Sequence, residues 1–168
     1  MKIKEVTELL YSEQEELIDL LIDVVAEGAS LGFHDPVQEE IARTYWANLL
    51  KKGVILFVAY DNNELVGTVQ LHVCNRENGL HRGEVAKLMV HPNARRKGVA
   101  HRLMRQLEEK AKQKKCTLLV LDTRAGDGSN DFYQTIGYTI CGRIPKFTYS
   151  LSENVYHDTV LYYKEIGE

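Results

Sequence analysis

Eight consecutive residues, Arg95-Arg96-Lys97-Gly98-Val99-Ala100-His101-Arg102, combine four fixed cations with one glycine. They follow the apolar run Val85-Ala86-Lys87-Leu88-Met89-Val90 and the turn His91-Pro92-Asn93-Ala94. The chemistry such a stretch supports is anion binding. A β-compatible run, a proline-marked loop and a helix start leave several backbone N–H groups without partners, all aimed at one spot, with positive charge around them. A phosphate fits that spot best. The helix dipole contributes roughly 0.3–1 kcal/mol, whereas each hydrogen bond to a charged group contributes about 1.5–3 kcal/mol. The aimed N–H groups therefore matter more than net charge.

The elements that hold this turn are read from periodicity. A short strand is expected over Ile3 to Thr7, then a helix capped by Ser12 with Glu15 as the reciprocal partner. Leu17, Leu20, Leu21, Val24 and Val25 recur at helical spacing as its buried stripe. The small segment Gly28-Ala29-Ser30-Leu31-Gly32-Phe33 interrupts the pattern, and Asp35-Pro36 is expected to open a second helix with Val37, Ile41, Tyr45 and Leu49 on one face. Val54 to Tyr60, the turn Asp61-Asn62-Asn63 and the alternating Leu65 to Val73 read as a hairpin. A turn at Asn78-Gly79 leads into the Val85 to Val90 strand, which completes an antiparallel meander. The next helix buries Ala100, Leu103, Met104, Leu107 and Ala111, and Thr117 to Leu121 is a wholly apolar strand, so strand, helix and strand form a right-handed parallel crossover. Asp122 is expected to end that strand, a short helix runs from Asn130 to Gly137, and strands over Tyr138 to Ile144 and Tyr156 to Tyr163 flank a polar loop with Pro145. The fold class is α/β: a mostly antiparallel twisted sheet with one parallel pair and about four helices, in a single domain over residues 1–168.

Composition narrows the function. Hydrophobic residues make up 44% and charged residues 27% of 168, with a net charge of −3, so no global field draws nucleic acid or an anionic membrane. The longest apolar run is too short to span a bilayer, no signal-peptide core follows the N-terminus, and a cytoplasmic location is expected. Cys74, Cys116 and Cys141 are widely spaced, and neither a disulfide framework nor a metal site is expected. Gly126-x-Gly128 lacks the third glycine of a dinucleotide fingerprint.

Arg95-x-x-Gly98-x-Ala100 at a strand-to-helix junction, followed by Asn130-x-Phe132-Tyr133-x-x-x-Gly137-Tyr138, resembles the GNAT superfamily of acyl-CoA N-acyltransferases over nearly the whole chain. Within it, Gly28-Ala29-Ser30-x-Gly32-Phe33, Glu84-Val85-x-Lys87-Leu88-Met89-Val90 and Leu121-Asp122-Thr123 are similar to acetyltransferases of the tabtoxin-resistance kind. The resemblance implies acetyl-CoA as cosubstrate, its pyrophosphate held by Arg95, Arg96, Lys97, Gly98, Val99, Ala100 and His101. Leu88, Met89 and Val90 on a splayed strand would bond the pantetheine arm as an added strand, with Asn130 facing it. Tyr133 would give a proton to the departing thiolate, and Asp122 or Glu84 would take one from the amine. From the residues alone, Tyr133 reads equally as a buried core aromatic and each carboxylate as a turn or cap group.

The Gly28 to Phe33 loop is expected to wall the acceptor side, with Ser30 and Phe33 touching the acceptor. Glu27, Asp35, Glu39 and Glu40 would favour a cationic amine, while Arg82 or Arg124 would receive a carboxylate. Arg124 departs from the tabtoxin-resistance pattern, which has an acidic residue there. The expected function is transfer of an acetyl group to a primary amine of a small amino-acid-like or antibiotic-like acceptor by direct attack in a ternary complex. A polyamine or peptide acceptor, and a non-catalytic acyl-CoA-binding module, are the alternatives. No nucleic acid, membrane or metal is expected as a partner; a homodimer is.

Overall fold

A computed structural model of the chain describes residues 1–167. Its elements are β1 (Lys2–Val6), α1 (Tyr11–Ala26), α2 (Glu39–Ala47), β2 (Val54–Asp61), β3 (Glu64–Val73), β4 (Arg82–Val90), α3 (Val99–Gln113), β5 (Leu118–Arg124), α4 (Ser129–Thr135), β6 (Thr139–Ser150) and β7 (Val155–Glu165). The strands form one sheet in the order β1-β2-β3-β4-β5-β7-β6, in which β4 and β5 are the parallel pair. Each face has its own core. On one, Leu17 and Leu21 of α1 and Ala42 and Trp46 of α2 pack on Leu56 and Val58. On the other, Leu103, Met104 and Leu107 of α3 and Tyr133 of α4 pack on Val69, Leu71, Leu119 and Leu121.

The meander and the crossover form as expected, and the first turn shows why. Asn62 and Asn63 adopt φ of 50° and 67° between the paired residues Asp61 and Glu64, the left-handed geometry of a two-residue hairpin that asparagine tolerates.

Several boundaries differ from the periodicity. α1 begins two residues earlier than expected, with Leu10 as its N-cap and no side-chain cap bond. Ser12 lies inside the first turn, and Glu15 is drawn away to the guanidinium of Arg43 on α2, where a charge-assisted bond replaces the capping box. α2 begins at Glu39 rather than after Pro36, and it buries Ala42 and Trp46 while Ile41 stands exposed. The helix is rotated one position from the expected stripe because Trp46 has the largest apolar surface to bury. The Asn78-Gly79 segment is a 3₁₀ turn within a longer connector. β5 continues past Asp122 to Arg124. β6 runs through Pro145 to Ser150, with its register irregular between Ile144 and Thr148, because an edge strand with a bulge can hold a residue that lacks an N–H.

Candidate active site

The turn between β4 and α3 is built for an anion. The first helical bond of this segment is Arg102 N–H to the Gly98 carbonyl, and Arg95 N–H is taken by Pro92. Among the described residues, the six backbone N–H groups from Arg96 to His101 find no acceptor within the protein. Arg96 and Gly98 take φ of 62° and 79°, which folds successive N–H groups toward one side as a nest. A Cβ on Gly98 would meet nothing within 4 Å, so the space over the nest is open. Arg95 turns back to the Val90 carbonyl through Nε at 3.3 Å, and His101 stacks edge-on against Phe132 of α4 at 5.0 Å. The helix start is seated by Gly67, where a Cβ would stand 2.8 Å from the Met89 carbonyl oxygen and 3.1 Å from Val99.

From the nest, β4 leads back into a gap in the sheet. β4 and β5 are in register only at Arg82 with Leu118, Gly83 with Leu119 and Glu84 with Val120. Beyond Glu84 the strands part, so Val85 to Val90 present an edge toward the gap. On its other side β4 carries a bulge: Thr68 pairs with Met89 and Gln70 with Ala86, leaving Lys87 and Leu88 against one residue of β3. Lys87 sits in that bulge at φ 51°, and a bulge re-aims the side chain it carries. The Lys87 ammonium lies over Phe33 and Tyr45, 5.7 and 5.9 Å from their ring centres. Burial lowers its pKa from the usual lysine value, partly offset by the charges of Asp122 and Glu84.

The gap opens into a cavity of about 330 Å³ that brings together Ser30, Glu84, Lys87, Leu88, Asp122 and Tyr133. It passes through the sheet, since Tyr133 belongs to the α3–α4 side and Ser30 to the loop after α1. Tyr133 is 7% exposed and packed on Phe132, Tyr138 and Tyr162. Burial, and then the negative charge of Asp122, push its pKa well above the usual tyrosine value, so the hydroxyl keeps its proton at neutral pH. Asp122 accepts from the Thr159 hydroxyl at 2.9 Å. A neutral proton donor and a positioned carboxylate thus line one small cavity.

Other expected site residues are placed differently. Asn130 spends its amide inside the protein: Nδ2 donates to the Arg124 and Asp127 carbonyls at 2.8 Å each, and Oδ1 accepts from Tyr162 at 2.8 Å. It holds the loop between β5 and α4. Arg124 donates to Asp127 and, at 2.9 Å, to the Gly28 carbonyl, so it ties that loop to the one after α1 instead of waiting for a carboxylate. Arg82 stands at the start of β4 against Cys74, 3.6 Å from its sulfur, and lines neither cavity described here. Ser30 borders both this cavity and a second of about 660 Å³, which lies between the loop after α1 and the tip of the β6–β7 hairpin. Phe33, Glu27 and Asp35 line that second cavity, but Glu39 and Glu40 do not.

The periodicity missed Lys87 as a site residue, together with the chain behind it. Gln70 Nε2 donates to the Tyr45 hydroxyl at 2.8 Å, and Gln70 Oε1 meets His72 Nε2 at 2.9 Å. A signal was present, since Thr68, Gln70 and His72 alternate with Val69 and Leu71 and must share the opposite face of β3.

Comparison with known proteins agrees with this fold. The family model described as the acetyltransferase (GNAT) family matches residues 18–138. An uncharacterized N-acetyltransferase from the hisH-hisA intergenic region of Azospirillum brasilense is 30% identical over 125 residues, covering 73% of this chain and 74% of that relative. Among solved structures, ribosomal-protein-alanine N-acetyltransferase from Brucella melitensis superposes with a TM-score of 0.82 at 22% identity, covering 98% of this chain and 99% of that one. An aminoglycoside 6'-N-acetyltransferase complexed with coenzyme A gives 0.79 at 19% identity, covering 100% and 98%. At those identities the two structures speak to the fold alone. The chain belongs to the acetyltransferase (GNAT) family and is an acyltransferase enzyme.

Proposed function

We propose that the protein transfers the acetyl group of acetyl-CoA to the primary amine of a small, amino-acid-like acceptor by direct attack in a ternary complex. One observation carries the reading. The free N–H nest from Arg96 to His101 connects along the open edge of β4 to a cavity that holds Tyr133, Asp122 and Glu84. The nest fits a pyrophosphate by hydrogen bonding and by the positive end of α3. Leu88, Met89 and Val90 offer the edge to the pantetheine arm. Arg95 and Lys97 add charge near the phosphates, and Asn130 supports the cavity through its loop.

The amine nitrogen attacks the thioester carbonyl carbon, a C–N bond forms, and the C–S bond breaks. The amine proton passes to Asp122 or Glu84, and the Tyr133 hydroxyl protonates the CoA thiolate as it leaves. Holding both reactants in one small cavity supplies much of the rate. The two cavities, of about 330 and 660 Å³, suit a compact acceptor more than a protein surface.

The proposal extends to a cytoplasmic setting, where acetyl-CoA is made, and to a homodimer. Ile140, Ile144 and Tyr156 are exposed on the β6–β7 hairpin and offer apolar surface to a second copy, while Phe147 and Tyr149, also exposed, border the two cavities. Light scattering after gel filtration checks the dimer. The activity is tested by thiol release with acetyl-CoA and a panel of amino acids, polyamines, aminoglycosides and peptides. Turnover confined to peptides would make the loop after α1 a peptide-binding rim instead.

A further inference from the structure

We propose that Lys87 binds the carboxylate of the acceptor, so that the acceptor is a zwitterion with its amine directed at Asp122 and Glu84. This rests on the acetyl-transfer reading above and makes its acceptor class specific. Among the described residues, the Lys87 ammonium makes no hydrogen bond and no ion pair. Around it stand two aromatic rings, Phe33 and Tyr45, the backbone of Gly32, whose Cβ position would be 3.7 Å from Nζ, and the His72 imidazole, which feels its charge. The rings attract the cation without neutralising it or accepting its three N–H bonds.

The other charges of the cavity are largely spoken for. Arg124 is paired with Asp127, and Asp158 with Arg143. That leaves Lys87 against Glu84 and Asp122, neither of which reaches it within ion-pair distance. One cation and two anions across a space of about 330 Å³ are complementary to a molecule that carries an amine and a carboxylate a few bonds apart. A polyamine or aminoglycoside brings only positive charge to the same space and meets Lys87 as a like charge. The bulge at Lys87 re-aims this side chain so that its ammonium lies over Phe33 and Tyr45 at the cavity wall.

The test uses the full chain with acetyl-CoA and the common amino acids, each beside its own carboxamide, which keeps the amine and removes the negative charge. Thiol release gives kcat and KM for both members of each pair. Wild type is expected to favour the acid over the amide by about tenfold or more in kcat/KM. In Lys87→Met that ratio falls toward one, chiefly through KM for the acid, and Lys87→Arg restores part of it. The rise in melting temperature with acetyl-CoA stays as in wild type and reports that each variant folds and binds cofactor. Lys87→Met keeps the same backbone demand, since any side chain at φ 51° carries it; should that variant fail to fold, Lys87→Gln serves instead. An acid-over-amide preference unchanged by these variants would overturn the role of Lys87 and leave the amino-acid acceptor standing. Turnover of polyamines with none of any acid would overturn both the Lys87 assignment and the amino-acid acceptor, while leaving acetyl transfer intact.

Discussion

The Thr159 hydroxyl donates to Asp122 Oδ2 at 2.9 Å while lying 3.0 Å from the Thr123 carbonyl oxygen, which fixes one oxygen of a carboxylate that lines the cavity. Thr159 is 2% exposed, so Thr159→Val keeps the shape and removes only the bond. If Asp122 is the base, this variant lowers kcat by about 10- to 100-fold, the scale of one lost hydrogen bond to a charged group. Asp122→Asn lowers it by about 10²-fold or more. That loss in Glu84→Gln, with Asp122→Asn near wild type, instead moves the base to β4.

Tyr133→Phe removes the proton donor without changing the packing against Tyr138 and Tyr162. The expected result is a fall in kcat of about 10²-fold with acetyl-CoA affinity nearly unchanged. Turnover at the wild-type rate would return Tyr133 to a core aromatic. Because burial raises the Tyr133 pKa above the usual value of 10.0, its deprotonation lies on the alkaline side of any limb seen below that pH.

Gly98→Val places a branched side chain in the open space over the nest and at φ 79°. The left-handed backbone costs about 1–2 kcal/mol, so the melting temperature falls by a few degrees, and the rise on adding acetyl-CoA disappears. Gly98→Asn, which tolerates this backbone, separates strain from blockage: it recovers stability while binding stays weak. Wild-type affinity in a folded Gly98→Val protein would remove the phosphate assignment.

The pH dependence of acceptor binding carries the signature of Lys87. Its pKa is lowered by burial, against Asp122 and Glu84, while Tyr45, His72 and Phe33 complete its surroundings. Below that lowered pKa the ammonium is present and acid acceptors bind. As pH rises through it the charge is lost, so KM for acids rises at a pH below the ordinary lysine value of 10.5. The acceptor's own amine titrates equally in wild type and Lys87→Met, so the difference between their KM profiles for one acid isolates this limb, and no such difference is expected for the matching amide.

Local signals reached far along this chain and stopped at long-range competition. The strand from Val85, the helix after Gly98 and the apolar strand before Asp122 were legible because period and turn chemistry agree there. Glu15 as a cap partner was not, because Arg43 arrives from another helix. Ile41 looked like a core residue until Trp46 claimed the interface. Within the site, the N–H nest was visible as a glycine in a basic turn, yet the commitment of Asn130 and Arg124 to carbonyls across a loop depends on tertiary placement. Lys87 stood in plain view inside the motif, but periodicity carries no sign of a bulge that swings it under Phe33.

The cavity through the sheet has a kinetic corollary. The nest stands beyond the end of the open β4 edge that borders the smaller cavity, and the larger cavity, which shares Ser30 and Arg124 with it, lies between the loop after α1 and the β6–β7 hairpin. On the proposed reading CoA takes the first side and the acceptor the second, so the two reactants do not block one another. Initial-rate plots should therefore show intersecting lines, with neither substrate obliged to bind first, and the acetylated amine can depart while the nucleotide end of CoA is still seated.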